Sequence, residues 1–189
     1  MVIERLRGLV SLDAVGRKIP LSPNTLTLAS LAVAACGIPL AWLYHLPAWI
    51  FILAASALDA LDGAVARSRG LATRRGAFLD SAVDRYADAL YLLYFWPRAD
   101  HLSLYVALIG TFIVSYARCR GESLGLSMRG VGLMERGERV ALLVAASIVQ
   151  ELVPPALNAA ILAYAVLVNA AAAHRCAVAF ARLRRLDRD

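Results

Sequence analysis

The sequence predicts an all-α, polytopic membrane protein with six transmembrane helices and an N-terminal amphipathic interfacial helix. Three observations carry that expectation. The 189 residues are 60% hydrophobic and 18% charged, with a mean hydropathy of +0.63, a balance far from that of a water-soluble domain. Residues 19 to 58 hold no formal charge and are interrupted only by "YHLPAW", which leaves room for two spans of about 20 residues each. Basic residues then recur in every second loop, the pattern of a chain that threads a bilayer repeatedly.

In chain order, "MVIERLRGLVSLDAVG" alternates apolar and charged residues at helical spacing and reads as a short interfacial helix within a juxtamembrane segment, 1–18. Its acids, and the lack of a long apolar core with a cleavage site, argue against a removable signal peptide. Ser22 followed by Pro23 is a helix start, with Ser as N-cap and Pro in the first turn. The second span begins near Pro47 and the third ends at Pro97. The fourth covers about 102–117, the fifth about 140–153 and the sixth about 156–173. No linker, low-complexity tract or repeat divides residues 19–189, so they read as one membrane domain ending in a short basic tail.

The loop charges orient these spans. Arg5, Arg7, Arg17 and Lys18 precede the first; Arg67, Arg69, Arg74 and Arg75 lie between the second and third. Arg118, Arg120, Arg129 and Arg136 lie between the fourth and fifth, and Arg182, Arg184, Arg185 and Arg188 follow the sixth. The opposite turns hold one basic residue, Arg98. By the positive-inside rule both termini and the basic loops are cytoplasmic. The net charge of +6 then follows from topology and anionic lipid, with no need for nucleic acid as a partner. Cys36, Cys119 and Cys176 form no CxxC or Cys/His cluster and read as packing residues. His45, His101 and His174 suggest no zinc site.

Against this background "DALDGAVARSRGLATRRGAFLDSAVD", residues 59 to 84, stands out for its four aspartates. Twelve residues beyond Pro47, Asp59 lies about 18 Å along its helix. That leaves it about 12 Å inside a hydrocarbon core of about 30 Å. On the antiparallel third helix Asp84 is thirteen residues from Pro97, so the two depths match. Asp62 and Asp80 make a second matched pair nearer the cytoplasm. Spacings of i,i+3 and i,i+4 put each pair on one helix face. Gly63, Ala66 and Gly76 leave room beside them for a large ligand. Clustered carboxylates below the membrane surface require compensating positive charge, and hard divalent cations such as magnesium or manganese suit oxygen ligands better than zinc does. Asp88, one turn deeper, reads as a packing or supporting residue.

Written out, Asp59-x2-Asp62-Gly63-x2-Ala66-Arg67-x8-Gly76-x3-Asp80-x3-Asp84 resembles the signature of the CDP-alcohol phosphatidyltransferases without a mismatch. The resemblance extends over nearly the whole chain beyond the N-terminal helix. It implies an enzyme that transfers a phosphatidyl group from a CDP-linked lipid, CDP-diacylglycerol or CDP-archaeol, to a small alcohol, with release of CMP. It also implies two Mg2+ ions, replaceable by Mn2+, held by Asp59, Asp62, Asp80 and Asp84, with Asp84 as general base. CDP-lipid contacts would fall to Asn24, Thr25, Leu26, Thr27, Gly63, Ala66, Arg67 and Thr73, although capping alone is an adequate reading of Asn24 and Thr27. A homodimer is the assembly it implies.

For the acceptor, Ser115-Tyr116-Ala117-Arg118-Cys119-Arg120-Gly121-Glu122 and Glu135-Arg136-Gly137-Glu138-Arg139 resemble the prokaryotic phosphatidylinositol-phosphate and archaetidylinositol-phosphate synthases. Arg118 stands where those enzymes commonly have lysine. By that similarity Arg118, Arg120 and Arg175 hold the phosphate of inositol phosphate, a task suited to forked guanidinium donors. Topology explains Arg139 poorly, since it lies in the apolar approach to the fifth span. Glycerol 3-phosphate, and with it phosphatidylglycerophosphate synthesis, is the alternative acceptor. A cation channel or transporter with an intramembrane carboxylate site is the alternative of a different class.

Overall fold

The computed structural model describes residues 12–128 and 130–187. Most of the expected interfacial helix, with Arg5, Arg7, Arg129 and Arg188, falls outside them. The described chain is helical, without strands among the described residues, and divides between Pro97 and Arg98 into two compact units. The first holds α1 (Leu12–Lys18), α2 (Pro23–Leu43), α3 (Ala48–Ser68) and α4 (Arg74–Leu93). The second holds α5 (His101–Ser123), α6 (Arg136–Leu152), a single 3-10 turn (Pro154–Ala156) and α7 (Leu157–Leu186).

Among the described residues four stretches are long and apolar enough to cross a membrane: Pro23–Leu43, Ala48–Ser68, His101–Ser123 and Pro154–Leu186. Six were expected. The difference lies in α4, whose 20 residues include Arg74, Arg75, Asp80, Asp84, Arg85 and Asp88, and in α6, which is 17 residues long. Two helices also outrun their apolar cores. Charges end a span without ending a helix: α5 continues to Ser123 with Arg118 and Glu122 paired at 3.1 Å across one turn, and α7 continues to Leu186.

In the first unit α2 packs on α3 and α4, and α1 packs on α3. Small residues make the close approaches: Ala34, Gly37 and Ala41 of α2 and Ala55 and Ala64 of α3 are buried, while Leu28, Leu43, Ile50 and Leu53 point outward. That inversion is expected in a bilayer, where large apolar side chains gain nothing by leaving lipid and packing favours small ones. Polar bonds add direction. The Tyr94 hydroxyl donates to Ala34 O at 2.7 Å, and the Ser56 and Tyr91 hydroxyls pair at 3.1 Å. Gly16 seats α1, since a Cβ there would stand 2.8 Å from the carbonyl carbon of Ala64. Arg69 holds the link to α2 through the carbonyls of Ile19 and Leu21 at 3.1 and 3.2 Å.

The second unit is built around α5 and α7, with α6 beside α7. Gly110 lies against Val168 and Asn169, Asn169 Nδ2 donates to Val106 O at 2.9 Å, and Thr111 and Tyr164 share a buried hydrogen bond of 3.0 Å. The turn between α5 and α6 rests on α7: Leu126, Met128 and Val131 form a buried cluster against Val178, Ala179 and Leu183.

Candidate active site

The acids are delivered by two helices of the first unit. One carboxylate oxygen from each of Asp59, Asp62 and Asp80 comes within 4.8 Å of the others, with Asp62 buried and its neighbours half-buried. Asp84, a turn further along α4, stands outside that trio. Its Oδ2 is 3.6 Å from Arg85 Nη2, which also lies 3.3 Å from Oδ2 of buried Asp88. Asp88 thus reaches Asp84 through a shared arginine, a supporting position consistent with its depth.

Two unit charges 4.8 Å apart repel by about 3.5 kcal/mol at an effective dielectric constant of about 20. A trio of carboxylates at that separation is therefore complementary to positive charge. Its donors are all oxygen, which fits a hard divalent cation and not zinc.

Beside Asp62 and Asp80 lies a cavity of about 150 Å³. Gly63, Ala66 and Gly76 line it with almost no side chain, and Asn24, Thr27 and Thr73 supply polar groups. At Gly76 a Cβ would stand 3.2 Å from both Asn24 Oδ1 and Thr73 Oγ1, so glycine is what lets these polar atoms close in. At Gly63 a Cβ would meet Arg67 Nη1 at 3.0 Å, because Arg67 folds back over it. Two helix N-termini flank the cavity. Pro23 and Asn24 begin α2; Thr73 caps α4 by accepting from Gly76 N at 3.0 Å, and Gly76 and Ala77 also line the cavity. The positive dipole end of a helix makes such places receptive to phosphate. A side-chain motif does not carry this backbone contribution; Ser22 and Thr73, the caps of the two helices, are its signals in the sequence.

Among the eight residues carried over as CDP-lipid contacts, Asn24, Thr27, Gly63, Ala66 and Thr73 line the cavity, and Arg67 adjoins it through Gly63. Thr25 instead serves the helix start: its N–H donates to Ser22 Oγ at 3.1 Å and its hydroxyl pairs with that oxygen at 2.7 Å. Leu26 is buried core.

The arginines expected to hold the acceptor phosphate, all in the second unit, differ in their surroundings. Arg118 is exposed and paired with Glu122; Arg120, also exposed, reaches Ser123 Oγ at 3.4 Å. Arg175 is 4% exposed and donates to three main-chain carbonyls, Val131 at 3.0 Å, Val114 at 3.1 Å and Leu133 at 3.5 Å. Arg139 is buried as well, with Nη1 3.0 Å from Met134 O. Met134 has a left-handed φ of 63°, a conformation that non-glycine residues adopt at a cost, and the Arg139 bond helps to hold it. Glu138, whose Oε2 accepts from Met134 N at 2.8 Å and Glu135 N at 3.2 Å, caps α6.

A family profile described as CDP-alcohol phosphatidyltransferase matches residues 20–173. An archaetidylinositol phosphate synthase from Aeropyrum pernix is 48% identical over 125 residues, 65% of this chain and 64% of the relative's own length. In a crystal structure of the Mycobacterium tuberculosis phosphatidylinositol phosphate synthase with CDP-DAG bound, the fold matches with a TM-score of 0.77 at 27% identity, covering 89% of this chain and 93% of that one. A crystal structure of the same synthase with manganese and citrate matches with a TM-score of 0.78 at 27% identity, over 89% and 88%.

Proposed function

The chain belongs to the CDP-alcohol phosphatidyltransferase family, and on that premise we propose that it transfers a phosphatidyl or archaetidyl group from CDP-diacylglycerol or CDP-archaeol to inositol phosphate, releasing CMP. The observation that carries this reading is the carboxylate trio bordering a cavity flanked by two helix N-termini. A cation channel or cation transporter needs acids to hold its ion, whereas a cavity flanked by two helix N-termini suits an anion beside that ion. Inositol phosphate is favoured as acceptor by the similarity to an archaetidylinositol phosphate synthase and to a phosphatidylinositol phosphate synthase.

Asp59, Asp62, Asp80 and Asp84 are the proposed ligands of two Mg2+ ions, with Mn2+ as substitute; divalent metal, when bound, neutralises pyrophosphate charge and assists displacement of the nucleotide. The remaining work falls to the chain. The N-termini of α2 and α4 turn their positive dipole ends toward the phosphates, and Gly63, Ala66 and Gly76 admit the nucleotide close to the backbone. Arg67, exposed above Gly63, adds a guanidinium to the same anion. Asp84 accepts the acceptor hydroxyl's proton as that oxygen bonds to the lipid-bearing phosphorus and the bond to CMP breaks. Arg118, Arg120 and Arg175 are the proposed acceptor-phosphate residues. Arg175, spent on main-chain carbonyls, contributes by shaping the turn before α6 unless those bonds are exchanged.

The proposed topology has α4 and α6 crossing as well, giving six spans. At 1.5 Å per residue α4 is about 30 Å long, and its acids face the interior of the first unit. Positive-inside charge puts both termini and the site on the cytoplasmic side. A homodimer rests on family resemblance.

The test is CMP release by purified protein from CDP-lipid and Mg2+, with inositol phosphate, free inositol, glycerol 3-phosphate and serine as acceptors. Turnover with inositol phosphate is expected to dominate, and Asp84→Asn should lower kcat by about 10²–10⁴. Preference for glycerol 3-phosphate would overturn the acceptor, and an Asp84→Asn enzyme with normal kcat would overturn the base.

A further inference from the structure

The resemblance assigns Thr27 to the CDP-lipid, but its surroundings point to a different task. The side chain is 3% exposed, and Oγ1 lies within hydrogen-bond distance of Asp62 Oδ2 on α3 and 3.0 Å from Pro23 O on its own helix. A hydroxyl has a single hydrogen to donate, and a charged carboxylate draws it more strongly than an amide carbonyl. The donated bond therefore goes to Asp62. Ser30 secures this turn of α2 from below, donating from Oγ to Thr27 O at 2.7 Å. What Thr27 retains for a ligand is acceptor capacity, which is of no use to a phosphate that also only accepts.

We propose that Thr27 is a positioning residue for the metal centre: its hydroxyl fixes one oxygen of Asp62 so that the carboxylate meets Asp59 and Asp80 as a preformed ligand set. The inference rests on the proposed divalent-metal site. An aspartate rotates freely about its terminal bond unless something restrains it. At Asp62 the restraint is a bond from a residue 35 positions away. Outer partners of this kind orient metal ligands, and losing one typically weakens metal binding by about 10–100-fold. Threonine suits the role because its methyl packs in the buried interface while its hydroxyl points at the acid. Thr27→Val keeps that shape and removes the donor; Thr27→Ser keeps the donor.

The experiment measures Mn2+ binding to detergent-purified protein without substrate, by loss of the free-Mn2+ electron paramagnetic resonance signal, for wild type, Thr27→Val, Thr27→Ser and Asp62→Asn. Thermal melts in EDTA establish that each variant is folded. Thr27→Val is expected to raise the Mn2+ Kd by about 10–100-fold, and Thr27→Ser to stay within about threefold of wild type. The CDP-lipid KM of Thr27→Val, taken at saturating Mn2+, should rise by a smaller factor than the Mn2+ Kd. Normal Mn2+ affinity in Thr27→Val, with Asp62→Asn impaired, would overturn the role of Thr27 alone. A raised CDP-lipid KM beside that normal affinity would return Thr27 to the nucleotide. Equal Mn2+ binding by wild type and Asp62→Asn would overturn the metal centre, and the positioning role with it.

Discussion

Replacing Asp80 with asparagine should have opposite effects on stability with and without metal. Asp80 takes part in two of the three carboxylate pairs within 4.8 Å. At an effective dielectric constant of about 20 each pair costs about 3.5 kcal/mol, so Asp80→Asn removes about 7 kcal/mol of repulsion before relaxation. If relaxation and water leave a third of that, the metal-free variant gains about 2 kcal/mol, or roughly 4–8 °C in Tm for a protein of this size. Divalent metal reverses the order. At a hundredfold excess over Kd, a ligand that binds only the folded state stabilises it by about 2.7 kcal/mol, and the variant forfeits most of that. The assay is thermal unfolding in detergent, followed by tryptophan fluorescence in EDTA and in Mn2+. A metal-free Asp80→Asn that melts at or below wild type, or one that keeps the full Mn2+ shift, would refute the electrostatic account of the trio.

The two ends of the arginine set should separate cleanly. Arg175→Ala takes the side-chain donor from the buried Val131 carbonyl and removes further bonds to Val114 and Leu133, at about 1–3 kcal/mol for a group left buried and unsatisfied, so its Tm should fall below wild type. Arg120→Ala, at an exposed position, should stay within about 0.5 kcal/mol while raising the KM for inositol phosphate more than that for CDP-lipid. Equal losses for both substrates would count against the assigned phosphate role. Gly16→Val drives a side chain against the Ala64 backbone, which has no flexible end to yield. About 1–3 kcal/mol of overpacking should undock α1 and speed amide exchange across Leu12–Lys18, and unchanged exchange there would argue against this seat.

Much of the site was legible because helical periodicity is local. Asp59 and Asp62, or Asp80 and Asp84, share a face whatever surrounds them, and counting from Pro47 and Pro97 pairs Asp59 with Asp84 and Asp62 with Asp80, of which the structure gathers Asp59, Asp62 and Asp80 and leaves Asp84 a turn away. The start of α2 was legible for the same reason, since Ser22 and Pro23 act within one turn. Span number was less so. Hydropathy marks α2, α3, α5 and α7, whereas α4 devotes its inner face to charge and so loses the signature of a span. Arginine counting carries less, because a guanidinium that binds phosphate and one that binds carbonyls look alike in sequence. Arg118 and Arg120 are at the surface, and Arg175 is inside holding a turn 42 to 44 residues away in the chain.

What the sequence determined alone is therefore whatever acts within about four residues: helix starts, shared faces, the acid pairs, the small residues beside them and the apolar lengths that call for a membrane. The tertiary structure decided the pairings across helices. Thr27 was brought within hydrogen-bond distance of Asp62, Arg85 was set between Asp84 and Asp88, and two helix N-termini were brought to one cavity. Hydrogen bonds and dipoles reach only a few ångströms, so a partner on another helix is chosen by how the helices pack. Spacing along one helix carries no record of that choice.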